Sequence, residues 1–209
     1  YSLSGYNDWM KKAIAELENI APGSVVDNGE KVFYITRLDL MDEELEKNDP
    51  LKAIYEKLAK NHKDAKALNL LGIYYIKQNK PGLARFAFEK ALLYEKDIPA
   101  IINNLGVLEI KEGDIRKAIV NFKRAMSLSN GYKAAQTNLS SIYLDFKDYK
   151  TAIGPVEDSY DDLKKDLSRG SLMSVQAASN YAVALVGIGK PDKAKNIYEK
   201  ILEGGSREV

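Results

Sequence analysis

Residues 68–92 read LNLLGIYYIKQNKPGLARFAFEKAL, and residues 102–126 read INNLGVLEIKEGDIRKAIVNFKRAM. The second stretch begins 34 residues after the first and repeats its order of large, small and aromatic side chains. Self-similarity at a fixed interval of about 20–50 residues marks an array of stacked supersecondary units. A 34-residue frame with Gly72 as its eighth position gives a first unit at 65–98. Leu68, Leu71, Gly72, Tyr75, Ala84, Phe88 and Ala91 then hold positions 4, 7, 8, 11, 20, 24 and 27. The unit at 99–132 places Ile102, Leu105, Gly106, Ala118, Phe122 and Ala125 at the same positions, except 11, where Glu109 breaks the frame.

Two weaker units follow. One starts at Lys133, with Leu139, Ser140, Tyr143 and Ala152 at positions 7, 8, 11 and 20. The other starts at Val175, with Ala178, Tyr181, Ala182, Leu185, Ala194 and Tyr198 at 4, 7, 8, 11, 20 and 24. Each unit reads as two antiparallel helices joined by a short turn. The small residue at position 8 lets the pair approach closely, and the aromatic at 24 fills the space between layers. One unit cannot bury its own apolar face, so the units must stack. Pro81, Pro99 and Pro191 fall where a first helical turn tolerates proline. Asp114 after Gly113 reads as an N-cap behind a C-terminal glycine. The pattern predicts helices over 65–78, 81–95, 99–112, 115–129, 132–146, 149–167, 172–187 and 191–203.

This spacing resembles the tetratricopeptide repeat family over 65–203, most fully in the first two units. The resemblance implies an all-α fold, a right-handed superhelix (α-solenoid) of stacked antiparallel helix pairs. It also implies a non-catalytic protein–protein interaction scaffold that binds an extended, partly apolar peptide segment in its concave groove. In that family the first helices line the groove. Carried over position by position, the peptide-binding residues are Asn69, Ile73, Lys77, Asn103, Asn104, Val107, Ile110, Lys111, Asn138, Ser141, Asn180 and Val183. Asn104, Asn138 and Asn180 all occupy position 6. A side-chain amide offers donor and acceptor together, which suits either the backbone of an extended ligand or a bond within the array. The basic residues of the family's carboxylate clamp are missing from the third unit.

Outside these units the organisation is looser. Residues 1–31 hold an amphipathic helix at 7–20, with Trp9, Met10, Ala13, Ile14, Leu17 and Ile20 on one face, and a loop. Residues 32–64 read as a degenerate repeat, with Asp49 as an N-cap, Pro50 in the first turn and Tyr55 at position 24. The third unit runs over 133–174 with an insertion of eight residues, read as a two-turn extension of its second helix with a solvated, charged end. Gly154-Pro155 should kink that helix. The fourth unit is 175–203 and the tail 204–209, all in one domain.

Composition narrows the chemistry. The 209 residues carry 31 Lys+Arg and 30 Asp+Glu, a net charge of +1, which does not suggest a nucleic-acid partner. No apolar run approaches the ~18 residues that span a bilayer. Cysteine is absent and His62 is the single histidine. It sits in a charged loop with no further ligands at metal spacing. The closely spaced carboxylates of 39–49 do not follow the calcium-loop pattern. No cofactor, metal site or catalytic residue is expected, and the partner is a protein or peptide. The alternative function is a self-assembly module of a larger complex, with a homodimer formed through Tyr198, Ile201 and Leu202. Position 27 holds the bulky Ile201 in the last unit instead of alanine, so this end is expected to be exposed or covered by a partner. Localisation stays open between cytoplasm and, if a signal segment preceded Tyr1, a bacterial periplasm or envelope.

Overall fold

The structure, a computed structural model, describes residues 11–12, 38, 41, 49–130, 132–167 and 172–205. Among the described residues, ten helices have both ends defined: Pro50–Lys60 (α1), Ala65–Lys77 (α2), Pro81–Tyr94 (α3), Pro99–Glu112 (α4) and Ile115–Leu128 (α5), then Lys133–Asp145 (α6), Tyr149–Glu157 (α7), Tyr160–Leu167 (α8), Leu172–Gly187 (α9) and Pro191–Gly205 (α10). No strand occurs among the described residues. The fold is all-α and built from stacked adjacent helix pairs. The chain forms two compact units, one over Ile35–Ala135 and one that takes in Gln136–Val209. Of the expected 7–20 helix, only Lys11 and Lys12 are described, and both are helical and exposed. The rest of that segment, and the first helix of the degenerate repeat, lie outside the described residues.

Local chemistry sets the helix starts. Asp49, Asp64, Asp114 and Asp148 each accept a backbone N–H three residues on, at 3.0–3.2 Å. Such caps satisfy one of the orphan donors of a first turn. Pro81, Pro99 and Pro191 begin α3, α4 and α10, where a missing N–H costs nothing. The turns inside the pairs share one device. Position 15 is left-handed in all four repeats of 65–203: Asn79 (φ 54°), Gly113 (φ 85°), Lys147 (φ 56°) and Gly189 (φ 76°). Lysine is strained there, by about 1–2 kcal/mol for an L-residue in this region. Glycine avoids that strain but loses more backbone freedom on folding. Lys147→Gly should therefore raise stability by about 0.5–1 kcal/mol, read as a higher midpoint of thermal unfolding. An unchanged or lower midpoint would show that the turn is relaxed.

Within the first unit, α2 pairs with α3 and α4 with α5, and the pairs stack through α3 on α4. Position 8 meets position 24 in each pair. A Cβ added to Gly72 would lie 2.4 Å from Phe88 Cε1, and one added to Gly106 would lie 2.6 Å from Phe122 Cε1. Both rings are fully buried. In the other unit, Ser140 at position 8 donates from its hydroxyl to the backbone carbonyl of Ala152 at position 20, at 2.9 Å. The small residue there makes a polar contact in place of ring packing.

Two features differ from the sequence reading. Helix α1 buries Ile54, while Tyr55 is half exposed and its hydroxyl lies 3.2 Å from that of Tyr75. The 34-residue interval counted back from Phe88 does fall on Ile54, so an aliphatic residue fills the aromatic slot. The inserted stretch also forms no single long helix. Pro155 lies inside α7, which ends at Glu157, and the chain restarts as α8 at Tyr160. Ser159 makes the break: its N–H and hydroxyl both donate to the Val156 carbonyl at 3.2 Å, and its hydroxyl lies 3.2 Å from Gln136 Oε1. Nor is α8 a solvated end. Leu163 and Leu167 are buried, and α8 packs on α9 and α10.

Candidate protein-interaction surface

The first helices α2, α4, α6 and α9 carry the residues singled out for ligand binding. Within each compact unit, polar side chains at positions 5 and 6, with Ser141 at position 9, lie between the two first helices. The position-6 amides of Asn104 and Asn180 then reach across to the preceding first helix instead of outward. Asn104 Nδ2 donates to Asn69 Oδ1 at 2.8 Å, and Asn103 Nδ2 donates to Asn104 Oδ1 at 3.2 Å. In the other unit, Asn180 Nδ2 donates to Ser141 Oγ at 2.8 Å and to the Thr137 carbonyl at 3.2 Å. The register is the same in both: position 6 of one repeat meets position 5 of the repeat before it. Asn69, Asn103, Asn104, Asn138, Ser141 and Asn180 are all buried. These polar residues are interior, not a ladder open to a peptide backbone. Their signal in the sequence, an asparagine recurring at one position, is equally the signal of a packed polar layer.

The apolar part of the expected groove is also largely interior. Ile73 and Val107 are buried, while Ile110 and Val183 are half-buried. Lys77 and Lys111 are exposed, and both occupy position 13, the last turn of α2 and of α4. Of the twelve candidate residues, these two lysines, with Ile110 beside Lys111, remain open to a ligand in the first unit.

The frame break at Glu109 has a structural explanation that the spacing did not suggest. Glu109 is only 3% exposed. It accepts from Arg85 Nη1 at 2.8 Å, and Arg85 Nη2 donates to Glu112. Arg85 belongs to the preceding repeat, so the pair ties α3 to α4. Glu109 foremost, then Glu112, raises the Arg85 pKa above its usual value against the opposing effect of burial. Tyr75 fills position 11 in the first repeat. Its hydroxyl pKa is pushed up to about 12, chiefly by the hydrogen bond with Tyr55 and then by burial.

The expected C-terminal association face is not exposed. Tyr198 and Ile201 are each 2% exposed and belong to one core with Ala178, Ala182 and Leu185 of α9. Leu202 is half-buried against the same core. Ile201 turns back onto α9 and packs into that core. Burial pushes the Tyr198 hydroxyl pKa above the ordinary tyrosine value. His62 lies in the exposed turn between α1 and α2, edge-on to the Tyr94 ring at 6.1 Å. Among the described residues no three His, Asp or Glu side chains gather as metal ligands would. No described helix is long and apolar enough to cross a membrane.

Antiparallel helix pairs of 34 residues, locked by a small residue under an aromatic and joined by crossing amides, define a helical-repeat protein. The tetratricopeptide repeat family model matches 65–98 and 99–132, so these two helix pairs are tetratricopeptide repeats. The chain is 28% identical over 134 residues to the tetratricopeptide repeat domain-containing protein PYG7, chloroplastic, of Arabidopsis thaliana. That match covers 62% of this chain and 44% of the relative, so the chain spans less than half of that protein's length. Two solved structures share the fold: MamA, at TM-score 0.57 over 76% of this chain and 88% of that one, and a second MamA structure, at 0.55 over 76% and 82%. Both are 21% identical in sequence.

Proposed function

We propose that the chain is a protein–protein interaction scaffold that holds an extended, partly apolar segment of another protein along its first helices. The observation that carries this reading is the pair Lys77 and Lys111, exposed at the same repeat position on consecutive first helices. Packed helices lie about 8–10 Å apart, and an extended chain rises about 3.3 Å per residue. A ligand with acidic groups roughly three residues apart would meet both lysines, with an apolar residue near Ile110. The buried asparagines set the distance between the two lysines without touching the ligand.

The test is a displayed library of random linear peptides panned against the full chain. Selected peptides are then titrated against the parent and against Lys77→Glu with Lys111→Glu. We expect selected sequences that alternate acidic and apolar residues, and a loss of about tenfold or more in the double variant, since rim charges act through complementarity. Peptides that bind both proteins equally would place the ligand elsewhere on the chain.

A further inference from the structure

The outer face of the second helices in the first unit carries a combination that packing does not explain. Helix α5 has four Lys or Arg and no Asp or Glu. All four surround one exposed apolar side chain. Val120 is 64% exposed, and Arg116, Lys117, Lys123 and Arg124 lie four and three residues before it and three and four after. Those are the spacings that put side chains on one helical face. Lys117 and Arg124 make exposed ion pairs with Asp114 and Asp97. On α3, the equivalent of Val120 one repeat earlier is Phe86, which is 66% exposed. Leu83 and Leu93 share its face at helical spacing and are exposed too, with Glu89 at the border. Phe86 and Val120 hold the same repeat position 34 residues apart, and α3 and α5 both pack on α4.

Charge is segregated along the chain in the same sense. Residues 49–130 hold 15 Lys or Arg against 9 Asp or Glu, an excess of six in a chain whose total excess is one. A positive field of this kind attracts an anionic surface. The shape of the face selects among such surfaces. Side chains two-thirds exposed stand out from the protein, whereas residues that line a peptide cleft are shielded by its walls. Protruding Phe, Leu and Val among Lys and Arg suit a soft layer that admits apolar tips below a plane of negative groups.

We propose that the α3–α5 face docks on the headgroup layer of an anionic lipid bilayer, with Phe86, Leu93 and Val120 entering it and Arg116 and Lys123 meeting lipid phosphates. This contact is peripheral and involves different helices from the lysine pair of α2 and α4.

The experiment is co-sedimentation of the full chain with vesicles of phosphatidylcholine alone and of phosphatidylcholine with phosphatidylglycerol, at low and at high salt. The parent should bind the anionic vesicles, ignore the neutral ones, and release as salt screens the charges. Arg116→Gln with Lys123→Gln, and separately Phe86→Ser with Leu93→Ser, should each lower binding about tenfold. These side chains are exposed, and a circular dichroism spectrum checks that the helices persist. Lys150→Gln with Lys193→Gln removes the same charge from exposed positions of the other unit and should leave binding intact. Failure of the parent to bind anionic vesicles overturns the proposal, as does equal loss in the face variants and the control pair. If the face variants lose a poly-glutamate peptide while vesicles do not bind at all, the face belongs to an acidic protein segment and the lipid assignment is wrong.

Discussion

Phe122→Ala should destabilise the chain by about 3–5 kcal/mol, the range for removing a buried aromatic ring. The ring is fully buried and rests on Gly106, whose lack of a side chain makes the contact. A cavity left there cannot close easily, because Gly106 offers no atoms to move into it and Ala118 and Ala125 on the same helix are already buried. The reciprocal change acts through overpacking. Gly106→Val puts a Cβ where Phe122 Cε1 would be 2.6 Å away and should cost about 1–3 kcal/mol. Urea unfolding of the two single variants and the double variant measures both. Because the residues touch, their effects should not add. A Phe122→Ala midpoint close to that of the parent would mean that the two helices do not depend on this contact.

Asn104→Ala should behave as a stability variant, with a cost of about 1–3 kcal/mol for removing one side of a buried hydrogen-bond network. The substitution takes a donor from Asn69 and an acceptor from Asn103. Neither site lies open to water, which would otherwise replace the lost bond. A ligand-facing asparagine would do the opposite and weaken peptide binding at unchanged stability. Denaturant midpoints together with titration of a selected peptide separate the two. Parental stability with lost binding would return Asn104 to a ligand role.

The helices were legible because each carries several independent signals that agree. An aspartate cap at α2 and α5, or a first-turn proline at α3 and α4, agrees with the small-over-aromatic frame, and all four helices begin where the frame puts them. Legibility failed where only one signal was present. Tyr55 was assigned the inner slot because it is aromatic, yet the interval itself points to Ile54, which is the buried residue. The charged letters of 159–172 suggested a solvated end. Leu163 and Leu167, one turn apart in that stretch, are the apolar stripe by which α8 packs.

The ligand surface was read least well, and the reason is distance. A repeat frame assigns each residue to a face but does not say how near the next first helix lies. Asn69, Asn104 and Asn180 face the neighbouring first helix at hydrogen-bond range, and Asn103 bonds Asn104 beside it, so all four are consumed inside the layer. Lys77 and Lys111 escape that fate by lying in the last turn of their helices. Glu109 shows the converse. A residue that violates the frame was matched by an arginine from the previous repeat, a pairing invisible until the helices are placed.

The crossing amides also bear on the order in which such an array assembles. Apolar contacts between helices tolerate sliding, because dispersion is spread over many atoms and has no preferred direction. A 2.8 Å bond between two side-chain amides does not. Asn104 finds Asn69 in one axial alignment of α4 on α2, and Asn180 finds Thr137 and Ser141 in one alignment of α9 on α6. Collapse can therefore come first and alignment second, with the amides as the check that rejects a junction closed one turn out of step. When a junction opens again, water takes over the released amides at little cost. What an end repeat costs its neighbour on detaching is then the apolar face it uncovers, and not the amides, which water satisfies.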